Sequence, residues 1–350
     1  MKLGDVSVAF VELMRLAMSR LGHDATPMLQ QFQLDDLKLA SPDARISIPR
    51  FMRLGHACIE VSDKPWLGLE MGRQTKAPHL GLAGLLAMSA PNVRISCQAL
   101  ATYELLSSFN ARGRSQFKLE QGCGVASFYS VSPYNAYNLF VVDSVLCGWY
   151  HFLQWVTGRT DLVKRIEFEF SAPSYVDEYQ GYFQCPVHFE ATRNAVVLHE
   201  WALEIPSLHA CASTYEALRR SAERELEHVR LGLSYRETVA RAIGPLLDGN
   251  TPTLEQVAHR LNTAPWTLRR RLSAEGHSFQ EVLNTTRRDL AVSYVRDTTL
   301  TLGEIAFLLG FGSATAFQRA FKRWTGEAPG RFREEKRRSY ISTASSTSSS

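Results

Sequence analysis

The chain is poor in cysteine, and its six cysteines form no local pattern. They stand at positions 58, 97, 123, 147, 185 and 211 of 350, with no C-x-x-C pair and no short cluster with histidine. Zinc sites need closely spaced ligands, so the spacing predicts no bound metal and no cofactor. A disulfide framework is not expected in a chain of this length without an export signal.

Long hydrophobic runs are absent as well. The nearest, residues 80–90, is too short to cross a bilayer, which takes about 20 apolar residues. The N-terminal stretch contains Asp5 and Glu12 and lacks the unbroken apolar core of a signal peptide. We therefore expect a cytoplasmic protein with no membrane partner. Residues 339–350 are rich in serine and threonine and are expected to form a disordered tail.

Charge is nearly balanced overall, at a net +4, but it is unevenly placed. Residues 236–338 hold 17 Lys and Arg against 11 Asp and Glu, a net of +6, and the other residues carry a net of −2. Binding to nucleic-acid phosphates needs basic character of this kind. The charge therefore points to the last third of the chain as a nucleic-acid-binding part.

Residues 254–333 contain two copies of one helical pattern, about 48 residues apart. Each copy begins with a capping box, at Thr253 or Thr301, and continues with apolar residues at helical spacing. Each first helix stops at Asn262 or Gly310, residue types that tolerate the left-handed backbone of a tight turn. The pattern predicts two helix-turn-helix motifs in an all-α domain.

The second helix of each motif, predicted at residues 265–272 and 313–324, has one apolar and one polar face. The side chains predicted to point outward are Trp266, Arg269 and Arg270 in the first copy, and Ala314, Thr315, Gln318 and Arg319 in the second. Such a helix can enter the major groove, where arginine makes bidentate contact with guanine. A solvated basic face is the alternative for one helix, but two in register favour DNA.

Residues 279–297 predict a single helix between the motifs, about 27 Å long at about 1.5 Å per residue. With its flanking turns, this helix can set the motifs about one DNA turn apart, roughly 34 Å. Each subunit is therefore predicted to read two adjacent major grooves of double-stranded promoter DNA.

This region resembles the DNA-binding domain of AraC/XylS-type transcriptional regulators. The residues that carry the resemblance are Ile305-Ala306, Leu309-Gly310-Phe311, Phe317 through Lys322, Gly326, Pro329 and Phe332-Arg333. The resemblance implies that bases are read by Trp266, Arg269, Arg270, Ala314, Thr315 and Arg319.

The resemblance also matches Arg287 and Arg288 on the linker helix to a basic spot near the DNA backbone, with a plain surface role as the open alternative. Ala264 departs from the family, which often has a capping serine there. Loss of such a cap typically costs about 1 kcal/mol.

The upstream domain is predicted to be α+β. Helices are predicted at residues 8–21, 50–61, 96–109 and 138–156, strands at 124–131 and 165–170, and a hairpin at 187–190 and 194–198. An amphipathic helix at 215–231 is either a dimer contact or a stalk between domains. The resulting domain boundaries are 1–210, a helical linker at 211–235, 236–338 and the tail.

The upstream domain resembles the arabinose-binding-like N-terminal domain of AraC-type regulators, over about residues 5–205. The carrying segments are Ser41 through Ile46, Leu67-Gly68-Leu69, His79 through Gly84, Gln184 through Phe189, and Arg193-Asn194. The resemblance implies an effector-sensing and dimerising module.

The sequence thus predicts a DNA-binding transcriptional regulator without enzymatic activity. Its expected partners are promoter DNA, a small-molecule effector, a second copy of the chain and RNA polymerase. Two alternatives stay open. One is a ligand-independent regulator whose N-terminal half only dimerises, and the other is a DNA-repair enzyme with the same DNA-binding module, although Cys185 lacks the setting of an activated thiol.

Overall fold

The computed structural model describes residues 4–34, 36–40, 44–110, 114–130, 134–231, 235–247, 249–298 and 300–334. They form two compact units, one within Gly4–Gly232 and one within Leu233–Ser350. The first contains helices and two sheets and the second is helical over its described part, which confirms the predicted fold class. The predicted tail at 339–350 lies outside the described residues.

The first unit combines ten α-helices with eight strands in its described part. The helices are α1 (Ala9–Arg20), α2 (Thr26–Gln31), α3 (Asp36–Leu39), α4 (Ile48–Ser62), α5 (Leu67–Gln74), α6 (Gly81–Ser89), α7 (Val93–Thr102), α8 (Leu139–Thr157), α9 (Tyr179–Tyr182) and α10 (Ala212–Leu231). The strands are β1 (Gly4–Ser7), β2 (Arg45–Ser47), β3 (Ser108–Asn110), β4 (Gln116–Glu120), β5 (Cys123–Phe128), β6 (Val163–Glu167), β7 (Val187–His188) and β8 (Asn194–Leu198).

The strands form two sheets, of order β2-β1-β3 and β4-β5-β8-β6-β7. The prediction of a hairpin from β7 and β8 is wrong, because β8 pairs with β5 and β6 while β7 pairs in parallel with β6. The hairpin of this sheet joins β4 to β5 through Gln121 and Gly122, which both have positive φ. The sequence of a short strand shows which of its faces is hydrophobic but not which strand it pairs with, since the pairing strand can be distant in the chain.

The predicted helix at residues 96–109 is too long. The helix α7 ends at Thr102, and the chain then passes through the short 3₁₀ helix Glu104–Leu106 into β3. Pairing of β3 with β1, which lies about a hundred residues earlier, draws the chain out of the helical path.

Helix α8 is the central helix of the first unit. By length and mean hydropathy, 1.2 over its apolar window, it could cross a membrane, yet 61% of that window is buried within the protein. It packs against α5, β5 and β8, and Phe140, Tyr150 and Phe152 on it are fully buried. It is therefore a core helix, as the sequence predicted for residues 138–156.

Two glycines allow α5 and α8 to pack closely. A Cβ atom at Gly68 would lie 2.2 Å from the Phe140 carbonyl oxygen, and one at Gly72 would lie 2.4 Å from the Cβ of Cys147. Because backbone cannot yield as a flexible side chain can, any larger residue would force the helices apart.

The apolar face of helix α10 packs against the core of the first unit. Ala222 and Leu226 are buried in the main core, and α10 packs against α6 and the Glu104–Leu106 turn. The apolar face of α10 is therefore not available to a partner subunit, so the predicted dimer contact does not use it.

Buried carboxylates connect α8 to the segment around α9. Asp143 is fully buried, and its two oxygens accept hydrogen bonds from the hydroxyls of Tyr179, at 2.7 Å, and Tyr175, at 3.0 Å. Burial raises the pKa of Asp143 to about 7, against the opposing effect of the two hydroxyls. Glu70 on α5 is also fully buried and accepts from Gln74 and Tyr182 and from Arg73.

Replacing Gly68 with alanine is expected to lower the free energy of unfolding by about 1–3 kcal/mol, because the added methyl group overlaps the Phe140 backbone. Thermal unfolding of the full chain measures the loss. Gly181→Ala is the control, since a Cβ there meets nothing within 4 Å. Equal melting temperatures for the two variants would contradict the close packing of α5 on α8.

The raised pKa of Asp143 predicts that stability falls as pH rises. The folded carboxyl keeps its proton up to about pH 7, whereas the unfolded one releases it near its ordinary value of about 4. Wild type should therefore lose up to about 4 kcal/mol relative to Asp143→Asn between about pH 4 and pH 7, and no more above that range. Urea titrations of both proteins across this range test the sign, and parallel profiles would refute it.

Candidate DNA-binding interface

The second unit places two helix-turn-helix motifs on either side of one long helix. Its helices are α11 (Tyr235–Ile243), α12 (Leu254–Arg260), α13 (Pro265–Ala274), α14 (Phe279–Asp297), α15 (Leu302–Leu308) and α16 (Ala314–Thr325). The first motif is α12 with α13, the second is α15 with α16, and α14 is the linker helix. We call α13 and α16 the recognition helices.

Side-chain caps begin three of these helices in the same way. Thr253 accepts from the Gln256 amide at 3.2 Å and its own amide donates to the Gln256 side chain at 2.9 Å, and Thr301 and Glu304 form the same box. A third box, Ser278 with Glu281, begins α14. Each box satisfies two amides that a helix start leaves without partners, which sharpens the boundary.

The turns inside the two motifs use the predicted left-handed residues. Asn262 has φ 48° and Gly310 has φ 67°. At Gly310 the space is closed as well, since a Cβ would lie 2.0 Å from the Asn250 carbonyl oxygen. The second turn therefore requires glycine for two reasons, conformation and contact.

The recognition helices bury one stripe and expose the other. The buried side chains are Leu268 and Leu272 on α13 and Phe317, Ala320 and Phe321 on α16. The rings of Phe317 and Phe321 meet edge to face at 5.7 Å, and Phe311 packs on Phe317 in the same way. This packing holds each recognition helix against the first helix of its motif.

The exposed stripe carries most of the side chains that the sequence predicts to point outward. Trp266 is 64% exposed, and the Arg270 guanidinium lies over its ring at 5.2 Å. Arg269 is exposed beside them, and on α16 so are Thr315, Gln318 and Arg319, while Ala314 is half-buried. Arg288 on the linker helix is exposed too.

Arg287 lies elsewhere. It is 8% exposed, and its Nε donates to the Leu309 carbonyl at 2.8 Å while Nη2 donates to Thr251 Oγ1 at 2.7 Å and to the Gly310 carbonyl at 2.8 Å. Burial lowers its pKa. The expectation that Arg287 sits at the surface near DNA is wrong, because the carbonyls at the end of α15 need a donor and Arg287 supplies it.

Comparison with known proteins gives the family. The family model described as the arabinose-binding domain of AraC transcription regulators, N-terminal, matches residues 22–207, more than half of the chain. A helix-turn-helix domain model matches residues 257–335. The chain belongs to the AraC-type transcriptional regulators. This confirms the predicted DNA-binding transcriptional regulator.

Several known proteins align with this chain along most of their length. The ornithine utilization regulator of Pseudomonas aeruginosa is 28% identical over 333 residues, 94% of this chain and 96% of the relative. The regulator VirS of Mycobacterium tuberculosis is 26% identical over 335 residues, 93% and 94% of the two chains. The crystal structure of the regulator CdpR from Pseudomonas aeruginosa covers 89% of this chain and 96% of its own at 23% identity, with a TM-score of 0.41.

Two contacts of this AraC-type domain escaped the sequence reasoning. Both oxygens of Glu275 accept from the first amides of α11, those of Tyr235 at 2.6 Å and Arg236 at 2.9 Å. Arg333 donates to the Val295 carbonyl in the last turn of α14 and to the Leu300 carbonyl beyond that helix. None of these four hydrogen bonds has a local signal, since the partners lie more than 30 residues apart in the chain.

Replacing Arg287 with methionine is expected to destabilise the second motif by about 2–4 kcal/mol, since it leaves buried carbonyl oxygens without a donor. Hydrogen exchange of amides in α15 and α16 of the full chain measures the local free energy of opening. Arg288→Met is the matched control and should stay within about 0.5 kcal/mol of wild type. Similar protection in both variants would rule out the structural role of Arg287.

Proposed function

We propose that each subunit places α13 and α16 in two successive major grooves of promoter DNA. The observation that carries this proposal is that the two motifs share a capping box on the first helix and a left-handed turn, and that both second helices bury one stripe and expose a polar face. A single helix of this kind could be a solvated surface. Two in one unit, joined by a 19-residue helix, favour an approach to successive grooves.

The exposed residues divide into base readers and phosphate binders in this proposal. Arg269, Arg270 and Arg319 reach base edges, and guanine is the base that arginine recognises through two hydrogen bonds. Trp266 supports Arg270 by stacking and offers apolar contact. Ala314, Thr315 and Gln318 form the small polar surface of α16 in the groove, and Arg288 binds phosphate.

The proposed regulator works in the cytoplasm as a homodimer that responds to a small molecule and contacts RNA polymerase. Support for the effector comes from the N-terminal domain, whose family model is described as arabinose-binding, and from one relative that is named for ornithine utilization. These names suggest a small polar metabolite and leave its identity to experiment. Thermal-shift screening of the full chain separates this proposal from a ligand-independent regulator, because a true effector stabilises by mass action.

A DNA-repair activity finds little support around Cys185. This thiol is half-buried and burial raises its pKa to about 11, so it is not an activated nucleophile. Cys211 is exposed, and hydrogen bonds from Ser213 and Thr214 lower its pKa to about 7. Mass spectrometry after incubation with alkylated DNA therefore has to follow both thiols, and stoichiometric transfer to either would favour a repair enzyme.

Replacing Arg270 or Arg319 with alanine is expected to weaken specific DNA binding by about 1–3 kcal/mol, roughly 5- to 150-fold, without changing the fold. The operator is first selected from a random DNA pool with the wild-type full chain, and gel-shift titrations then compare the variants on that site.

Arg15→Ala is the matched control, an exposed arginine of the first unit that pairs with Glu12. It should bind like wild type. If discrimination between the selected site and random DNA survives in both Arg270→Ala and Arg319→Ala, these side chains do not read bases.

A further inference from the structure

The five-stranded sheet of the first unit ends in an exposed edge. Within the described part of the chain, β4 pairs with β5 alone. Lys118, Leu119 and Glu120 on β4 are all exposed, and the Leu119 side chain is 53% exposed. An edge strand with an exposed apolar side chain is a template for pairing with another strand.

The turn after β4 determines which backbone groups face this edge. Gln121 and Gly122 have φ of 50° and 82°, as in a two-residue hairpin turn. The pair that closes such a hairpin, Glu120 with Cys123, is hydrogen-bonded, and bonded and non-bonded pairs alternate along an antiparallel ladder. The N–H and C=O of Leu119 therefore point away from β5.

A second copy of β4 can pair antiparallel to the first in a few registers about a two-fold axis. With Lys118 or Glu120 on the axis, two like charges stand directly opposite each other, which is destabilising. With Phe117 on the axis, Leu119 would pair with Ser115, whose amide already donates to the buried Glu104 carboxylate at 2.8 Å.

The remaining register has Leu119 on the axis. The two Leu119 residues then exchange backbone hydrogen bonds, and Lys118 of each copy stands opposite Glu120 of the other. Charge complementarity and the direction of the free backbone groups select the same register.

The side chains around Lys118 and Glu120 favour the approach of a lysine from a second copy of the chain. Lys118 and Glu120 lie opposite Val125 and Cys123, on the face that carries a small apolar cluster of Val125, Ala195 and Val197. Arg193 holds Glu120 at 2.8 Å and Glu167 at 2.9 Å across this face. Glu120 is thereby positioned at the edge, and Lys118 of a second copy would extend the ion-pair row.

We propose that two copies of this chain dimerise by antiparallel pairing of their β4 strands, with Leu119 on the two-fold axis and Lys118 opposite Glu120 of the other copy. The inference rests on the proposed homodimeric state and names its surface. A five-residue strand offers a small interface, so the dimer is reversible, and binding to one DNA raises the effective concentration of the two subunits.

Sedimentation velocity of the full chain, from about 1 to about 100 µM without DNA, tests the surface. Lys118→Glu and Glu120→Lys each place like charges opposite each other at both symmetric positions and should weaken dimerisation roughly tenfold. The double variant K118E/E120K restores opposite charges in reversed order and should recover part of the lost dimerisation, since the lysine at position 120 no longer pairs with Arg193. This recovery is specific to the proposed register.

Leu119→Lys should give a monomer. Leu208→Lys is the control and should dimerise like wild type, since Leu208 is 68% exposed and lies outside the sheet. A wild type that stays monomeric throughout would overturn both the dimeric state and this surface. Dimeric wild type together with dimeric Leu119→Lys would overturn the surface alone. Weakened single variants without recovery in K118E/E120K would overturn the register.

Discussion

The guanidinium of Arg287 is the interaction on which the DNA-binding unit depends most. From the middle of the linker helix it holds the end of α15, through Leu309 and Gly310, and the segment before the first motif, through Thr251. One buried cation thus connects three segments that are distant in the chain. Its hydrogen-bond partners are neutral oxygens, and its guanidinium also lies 4.9 Å from the centre of the Phe311 ring. Burial lowers its pKa. Through its hydrogen bonds, Arg287 fixes the turn that leads into α16 against the linker helix.

The two motifs share a framework but present different chemistry. The first begins α13 at Ala264 without a side-chain cap, with Pro265 at the first position of the helix, and exposes Trp266 and three arginines. The second begins α16 with a cap from Ser313 to the Ala316 amide at 3.1 Å and exposes smaller polar groups. In the proposed complex the first motif adds the stacked ring of Trp266 to its arginines, and the second adds the small polar side chains of Thr315 and Gln318 to its own basic residues. The shared framework explains how two different surfaces can approach consecutive grooves.

The first unit uses buried polar groups at the joint between α5, α8 and α9. Glycines at positions 68 and 72 bring α5 onto α8, and tyrosine hydroxyls then satisfy the carboxylates that this packing buries. Such a network specifies one arrangement of the helices, because any shift leaves a buried oxygen without a partner. At the edge of the same unit, β4 pairs with no second strand within the described residues.

Local rules account for what the sequence alone determined. Capping boxes at Thr253 and Thr301, the left-handed turn at Gly310 and the stripe that ends in Phe321 are signals within a few residues of each other, and all were predicted in place. The polar faces of α13 and α16 followed from the same periodicity. Only the tertiary structure decided which strands β7 and β8 pair with, where the apolar face of α10 packs and that Arg287 is buried. Each of these depends on a partner that is distant in the chain, and a side chain with five donors shows no local sign of whether carbonyls or phosphates will receive them.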